Sequence, residues 1–239
     1  AAIIDSHSGV LHADGAVDAG GWQTRALSGN GLYLRNLGGL TDGSHQIVVR
    51  AIDRWGNDSA TAPTSFEVDA TPPAIVIGGV ADGALTNQVV TPTISITDIQ
   101  PATDEITLDG SPFASGDAIS TDGYHVLSVK ATDAAGNHAV RSVRFTIDTQ
   151  NPELTIAEPG DGTVTSQDTV NVVVQSEAGV RVDLLTGVFA ADRTADPSGL
   201  AVFEMVPLMP GDNAITATAT DGAGNTSAPT TVNVRVDSS

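Results

Sequence analysis

The chain has 239 residues, of which 10 are Lys or Arg and 29 are Asp or Glu, so its formal net charge is −19. This charge argues against nucleic acid and anionic membrane surfaces as partners, because both require a positive field on the protein. The sequence contains no cysteine, which excludes disulfides, zinc thiolate sites and cysteine nucleophiles. Its apolar runs are far shorter than the ~20 residues that cross a bilayer, so no membrane insertion is expected in this segment.

The residue composition favours an all-β fold. Apolar residues make up 40% of the chain, and they are spread along its whole length rather than concentrated in one part. Aromatic residues make up only 4%, whereas there are 25 glycines and 12 prolines. Abundant Val and Thr favour strands, and Gly, Pro and Asp favour turns. The sequence therefore predicts aliphatic cores between many short strands.

A five-residue motif, Asp-x-x-Gly-Asn, occurs three times, at spacings of 80 and 88 residues. A glycine stands ten residues before each motif, and apolar residues alternate with polar ones in between, as expected for a half-buried strand. The motifs are 53–57, 133–137 and 221–225, and the glycines are Gly43, Gly123 and Gly211. The apolar positions are Ile47, Val49 and Ala51 in the first copy, Leu127, Val129 and Ala131 in the second, and Ile215, Ala217 and Ala219 in the third.

A second strand is predicted after each motif, and each of these strands ends at an aspartate. They are Ser65–Val68 before Asp69, Val143–Ile147 before Asp148, and Thr231–Val236 before Asp237. Proline follows the first two aspartates within a few residues and stiffens the connection to the next strand. We therefore predict three domains, 1–70, 71–149 and 150–239, each about the size of a small β-sandwich.

The first repeat is shorter than the other two before its motif, so we expect it to lack its first strand. The simpler interpretation is that the sequence begins inside a longer array of repeats. The alternative is an open sandwich that accepts a strand from a partner, as in strand complementation.

Several segments together resemble bacterial immunoglobulin-like repeat domains. The first repeat carries Leu40-Thr-Asp-Gly-Ser-His45, Ala51-Ile-Asp-Arg-Trp-Gly-Asn57 and Phe66-Glu-Val-Asp-Ala-Thr-Pro-Pro73. The second carries Asp122-Gly-Tyr-His125 and Ala131-Thr-Asp-Ala-Ala-Gly-Asn137. The third keeps the motif at Asp221 but has Pro210-Gly-Asp-Asn213 where the others have Asp-Gly. The resemblance implies three tandem immunoglobulin-like β-sandwiches arranged end to end.

Such repeats are similar to those in the stalks of large bacterial surface adhesins. The resemblance therefore implies a non-enzymatic, extracellular segment of a bacterial cell-surface protein. Its expected partners are neighbouring Ig-like repeats of a longer chain and a host or cell-surface receptor or glycan. The alternatives are a spacer or accessory carbohydrate-binding module of a secreted enzyme, and a filament subunit that exchanges strands.

The repeated motif has two interpretations. As scaffold, the aspartate caps backbone N–H groups of its own turn and the glycine takes a positive φ. As a ligand set, its carboxylate and amide oxygens suit calcium, which binds six to eight oxygens. Carboxylates that converge on an inter-domain junction repel one another unless a cation neutralises them. Calcium bound there would stiffen the joint between two domains.

The candidate calcium ligands form two groups, one at each predicted junction between domains. The first group is Asp42, Asp69, Asp133 and Asn137, and the second is Asp82, Asp122, Asp148, Asn151, Asp221 and Asn225.

Trp55 is the unusual residue of the first motif, since alanine stands at this place in the other two copies. An aromatic side chain in an exposed turn could pack against a preceding domain or contact a sugar. Packing is the favoured interpretation.

Overall fold

The computed structural model describes residues 9–25, 38–98 and 103–237, and in these residues every regular element is a β-strand. The predicted all-β fold is therefore confirmed. The described part of the chain has no helix long and apolar enough to cross a membrane.

The described residues of the first repeat form one antiparallel sheet. The central strand carries alternating apolar side chains from Gly43 to the motif aspartate, as the sequence predicts. The sheet order is β2-β1-β3-β4, and β5 also pairs with β3. The strands are β1 (Val10–Val17), β2 (Gln23–Arg25), β3 (Gly43–Asp53), β4 (Asp58–Ala60) and β5 (Thr64–Val68).

The second repeat has a five-stranded sheet of order β10-β9-β11-β12-β7 and a separate pair, β6-β8. Its last strand pairs in parallel with β7 and in antiparallel fashion with β11. The strands are β6 (Ala74–Gly78), β7 (Ala84–Thr86), β8 (Thr93–Thr97), β9 (Thr103–Leu108), β10 (Ser111–Pro112), β11 (Gly123–Thr132) and β12 (His138–Ile147).

The third repeat is a sandwich of two sheets, ordered β13-β15-β18 and β14-β20-β19-β16-β17. Val174, Phe203, Leu184 and Ile215 come from both sheets and share one buried core. The strands are β13 (Thr155–Glu158), β14 (Thr163–Thr165), β15 (Thr169–Gln175), β16 (Arg181–Leu185), β17 (Ala190–Thr194), β18 (Leu200–Pro207), β19 (Gly211–Thr220) and β20 (Thr230–Val236).

The inward side chains of the central strands differ in burial between the repeats. Leu127 and Val129 of β11 are fully buried, as are Ile215 and Ala217 of β19. The matching residues of β3, Ile47, Val49 and Ala51, are only half-buried. The alternation predicts the buried face correctly in β11 and β19, whereas in β3 both faces are half-buried from Ile47 to Asp53. How deeply that face is buried depends on the opposing sheet, and the described residues of the first repeat supply only one sheet.

Contacts within the chain group it into two compact units. One contains Ala1–Ile75, Ile96–Asp104 and Lys130–Val140, and the other contains Val76–Ser95, Glu105–Val129 and Arg141–Ser239. The division into domains 1–70, 71–149 and 150–239 stays a prediction.

The difference in burial predicts unequal costs for equivalent core substitutions. Leu127→Ala should lower the free energy of unfolding by about 2–5 kcal/mol, because it leaves a cavity in a fully buried site. Ile47→Ala should cost about 1–2 kcal/mol, because its side chain already contacts solvent. Urea unfolding of each variant measures both values, and equal costs would contradict the interpretation.

Candidate functional site at the repeat junctions

Each Asp-x-x-Gly-Asn motif forms a turn held by its own aspartate. In the third copy, Asp221 Oδ1 accepts hydrogen bonds from the backbone N–H groups of Ala223, Gly224 and Asn225 at 2.8–2.9 Å. Asn225 Nδ2 donates to Asp221 Oδ2 at 2.8 Å. Gly224 has φ = 95°, a conformation that glycine adopts without strain. The scaffold interpretation therefore accounts for the motif within a single turn.

The other two copies have the same geometry. Asp133 bonds the backbone and side-chain amides of Asn137, and Asp53 bonds those of Asn57, all at 2.8 Å. Burial alone would raise the pKa of the Asp133 carboxyl, but these hydrogen bonds outweigh it and the pKa is lowered. The carboxylate is therefore the form that the turn stabilises.

The asparagine of the motif also connects the turn to the preceding repeat. Asn137 Nδ2 donates to the backbone oxygen of Asp69 at 3.0 Å, and Asn225 Nδ2 donates to that of Asp148 at 2.7 Å. We call these two contacts the amide latches. Within the described residues, Asn57 makes only the bonds inside its own turn, and it is exposed.

A second carboxylate fixes the chain just after each latch. Asp42 accepts hydrogen bonds from Ala70 N and Thr71 Oγ1, and these bonds, the one from Thr71 foremost, lower its pKa. Asp122 accepts bonds from Gln150 Nε2 and from the amide and hydroxyl of Thr149, which lower its pKa in the same way. Both aspartates therefore lie at the junctions where the sequence predicts them.

A histidine two residues after the turn glycine holds the loop that carries each of these aspartates. His125 contacts Asp109 Oδ2 through Nδ1 and Thr121 O through Nε2, both at 2.8 Å. His45 contacts Asp18 and Thr41 O in the same way, at 2.5 and 2.6 Å. Both ring nitrogens therefore face oxygen acceptors, a geometry that only the protonated imidazolium satisfies completely.

The same position in the third repeat is Asn213, which does not titrate. Its Nδ2 donates to Met209 O at 2.7 Å and to Gly211 O at 3.0 Å, and its Oδ1 accepts from Met209 N at 2.7 Å. The same loop is therefore held by histidine in the first two repeats and by asparagine in the third.

Three carboxylates meet at the first junction. Asp69, Asp98 and Asp133 each offer an oxygen, and these oxygens lie within 4.8 Å of one another. Asp69 Oδ2 is buried and has no hydrogen-bond partner among the residues that the structure describes. Asp42, Thr71 and Asp98 also line one groove beside this group. We call Asp69, Asp98 and Asp133 the acidic cluster.

At the second junction, no third carboxylate of the described residues joins Asp148 and Asp221 in a comparable group. Asp98 directly follows β8, and its counterpart directly after β15 is Ser176. The Ser176 hydroxyl donates to Glu153 O at 2.5 Å, so the contact that replaces the carboxylate is neutral. Asp148 accepts a bond from Gln150 N at 3.0 Å, as Asp69 accepts one from Thr71 N at 3.1 Å.

Of the ten predicted ligands, only Asp69 and Asp133 belong to the acidic cluster. Asp82 lies just before the first residue of β7, and its carboxylate accepts a hydrogen bond from Arg144 N. The junction residue Asp148 lies at the other end of β7, where its backbone N–H donates to Thr86 O. Asn151 lies at the second junction and is exposed.

Asp98 was not among the ligands predicted from the sequence. Its place directly after the alternating run Thr-Ile-Ser-Ile-Thr marks the end of a strand, and this pattern could have indicated it.

The fold and the repeated turns define an immunoglobulin-like class of β-sandwich. Residues 30–123 match the family described as "Bacterial Ig-like domain (group 3)". This match confirms the resemblance stated from the sequence. The matched range crosses the predicted boundary at residue 71.

Solved structures with similar folds come from several sources. A tetra-tandem repeat in the extending region of a large adhesion protein is 22% identical, over 98% of this chain and 69% of that one, with a TM-score of 0.41. A bacterial ice-binding adhesin is 16% identical, over 95% and 88%, with a TM-score of 0.32. Fibronectin(III)-like modules of Clostridium thermocellum CbhA are 12% identical, over 69% and 94%, with a TM-score of 0.39. No curated protein matches the chain.

Removal of the amide latches should destabilise the chain more than removal of the unlatched asparagine. Asn137→Ala and Asn225→Ala each lose a bond to a junction carbonyl and leave that oxygen short of a donor. We expect each to lower the free energy of unfolding by about 1 kcal/mol more than Asn57→Ala does. Urea denaturation of the three variants tests this, and equal effects would show that the latches contribute nothing.

The histidine contacts predict that stability decreases as the pH rises. Burial would lower the pKa of His125, but the bond to Asp109 outweighs it, and the folded-state pKa lies above the usual 6.5. The bond to Asp18 is the main cause of the raised pKa of His45. The stabilisation is fully present below pH 6.5 and is lost as the pH rises through the folded-state values.

Thermal unfolding at a series of pH values above 6.5 measures this loss. The variant His45→Asn/His125→Asn copies the asparagine of the third repeat, and its melting temperature should vary less over the same range. An unchanged pH dependence in this variant would contradict the assignment.

Proposed function

We propose that this chain is a stalk segment of a bacterial surface adhesin, outside the cell and without catalytic activity. In this role it carries a binding domain away from the surface, and its mechanical property of interest is the stiffness of its junctions. The observation that carries the proposal is the repeated fixing of each junction by an amide latch and a capping aspartate.

The junctions are short, and each contact removes freedom from the same few residues. At the second junction, Asn225 holds the carbonyl of Asp148, Thr86 O accepts the amide hydrogen of Asp148, and Asp122 binds the next two residues. Tandem domains joined by a short connection otherwise move relative to one another. A segment whose task is extension gains from such restraints, whereas a flexible spacer would not need them.

Calcium is the proposed cofactor of the first junction, bound by the acidic cluster. Calcium binds carboxylate oxygens at about 2.3–2.6 Å, so two ligands on opposite sides of one ion lie about 5 Å apart. The separation of the cluster oxygens fits within that sphere. The buried, unpaired Asp69 Oδ2 supports the proposal, because an uncompensated carboxylate oxygen is costly to bury. Asp42 and Asp122 act as caps in this proposal rather than as ligands.

The second junction is proposed to hold its position without calcium. It offers Asp148 and Asp221, but Ser176 stands where the first junction has Asp98. The spacer or carbohydrate-binding module and the strand-exchanging subunit stay alternatives from the sequence.

Calcium should raise the thermal stability of the chain and bind with a stoichiometry of one. At free calcium 100-fold above its dissociation constant, a single site adds about 2.7 kcal/mol to the free energy of unfolding. We expect a melting temperature higher by roughly 5–10 °C than in excess chelator. Isothermal titration calorimetry with calcium gives the stoichiometry. Small-angle scattering with and without calcium gives the length of the chain in solution.

The variant Asp98→Ser copies the second junction and should abolish both the heat signal and the thermal shift. Asp82→Asn is the matched control, since its amide oxygen still accepts the bond from Arg144 and it lies outside the cluster. No shift with calcium in the unmodified chain would refute the cofactor. A stoichiometry of two, or binding that survives Asp98→Ser, would refute the assignment to this cluster.

A further inference from the structure

A groove of about 440 Å³ lies on the larger sheet of the third repeat. It runs along the outer face, because successive side chains of a strand alternate and Leu184 of β16 already faces the core. Its charged lining consists of Asp183 on β16, Asp192 on the edge strand β17, and Arg181. Leu185, which is exposed, adds an apolar part to the lining. The groove therefore combines carboxylates with an aliphatic surface.

The two carboxylates of the groove are only partly compensated. Asp183 and Asp192 lie directly opposite each other in the register of β16 and β17, and like charges at opposed positions destabilise a pair of strands. Arg181 Nη2 donates to Asp183 Oδ1 at 2.7 Å, whereas Arg181 Nε lies 3.4 Å from Asp192 Oδ2. One exposed guanidinium thus serves two carboxylates, and the group keeps a formal negative charge.

The first repeat carries an aspartate at the equivalent place. Arg50 on β3 and Thr218 on β19 each stand three residues before the motif aspartate of their repeat. The residue opposite Arg50 is Asp14, and the residue opposite Thr218 is Asp183. Asp14 and Asp183 therefore occupy the same position on the outer face of their sheets.

In the first repeat, an arginine of the repeat itself neutralises this aspartate. Arg50 Nε donates to Asp14 Oδ2 at 2.8 Å, and Arg50 Nη2 lies 2.7 Å from the same oxygen. The guanidinium carbon lies 4.3 Å from the centre of the Trp22 ring, so the cation is stacked on an aromatic face. The side chain of Asp14 is only 3% exposed. The aspartate at this position therefore accepts a stacked guanidinium.

The third repeat has neither of these two large side chains. Thr218 stands in the place of Arg50. Ala190 stands in the place of Trp22, since each lies two residues before the edge-strand residue that is opposite the aspartate. Threonine and alanine are too small to cover the carboxylate, and the side chain of Asp183 is 41% exposed. The space that an arginine and a tryptophan take in the first repeat is therefore open to solvent in the third.

We propose that this groove is a docking site for an arginine side chain of a partner protein. The guanidinium lies between Asp183 and Asp192, and its aliphatic stem lies on Leu185. Charge favours this occupant, because the carboxylates of the lining outnumber its one cation and the chain as a whole carries −19. A guanidinium also forms parallel hydrogen bonds with a carboxylate and stacks on flat groups, whereas an ammonium does not.

This site goes beyond the proposed stalk function and is independent of the proposed calcium site. None of the residues of the acidic cluster lines the groove. Binding measured in excess chelator therefore tests the groove alone, whatever the outcome of the calcium experiments.

The test is the binding of the peptide acetyl-Arg-Trp-amide to the full chain in excess chelator, followed by NMR. The peptide supplies the two side chains that Arg50 and Trp22 supply in the first repeat. We expect a dissociation constant of about 1–5 mM, because one exposed ion pair and one stacked ring contribute little free energy. The amide signals of Asp183, Asp192 and Leu185 should shift. Acetyl-Lys-Trp-amide has the same charge and should bind at least threefold more weakly.

Variants distinguish the groove from general attraction to a negative chain. Asp183→Asn and Asp192→Asn should each weaken binding at least fivefold. Asp212→Asn is the matched control, because it removes an exposed carboxylate of the same repeat that does not line the groove. The variant Ala190→Trp/Thr218→Arg copies the first repeat, so it should fill the groove and abolish binding. The melting temperature of each variant confirms that it is folded.

Several results would overturn the proposal. No shift of the groove signals with the arginine peptide would refute the site, as would binding that survives in the folded Ala190→Trp/Thr218→Arg variant. Equal weakening by Asp192→Asn and Asp212→Asn would show attraction to net charge alone. Equal affinity for the lysine peptide would refute arginine as the occupant. Shifts of the same signals with protein concentration alone would assign the groove to a second copy of this chain instead of a different protein.

Discussion

The hydrogen bonds between a turn aspartate and the asparagine four residues later are the interaction on which the junctions depend. The aspartate orders the turn by accepting bonds from its backbone amides, and it fixes the asparagine side chain by accepting one of its two amide hydrogens. The second hydrogen then points away from the turn and meets the carbonyl at the end of the preceding repeat. One short motif thus serves both the fold of a repeat and its attachment to the next.

The repeats stabilise the same loops and junctions with different side chains, and these side chains differ in their response to pH and cations. The first junction has three carboxylates, the second replaces one of them with serine, and the third repeat replaces a buried histidine with asparagine. Charged groups respond to pH and cations, whereas a neutral amide or hydroxyl does not. Repeats with the same turn motif can therefore differ in their sensitivity to the surrounding solution.

Apolar burial explains why the repeats also differ in their cores. The alternating positions of β3, β11 and β19 have the same pattern, yet only the last two are fully buried. Burial requires a second layer, and a side chain that faces one sheet alone retains contact with water.

The sequence by itself determined the all-β class, the strands around each motif, the buried faces of β11 and β19, and the turns, because these depend on residues close together in the chain. It also placed Asp42, Asp69, Asp122 and Asp133 at the junctions, since repeated motifs imply repeated geometry. The tertiary structure decided that Asp98 joins Asp69 and Asp133, that Asp82 instead accepts a hydrogen bond from Arg144 within β12, and that the asparagine amides donate to junction carbonyls. These outcomes depend on how strands distant in sequence pair and pack, which local periodicity does not encode.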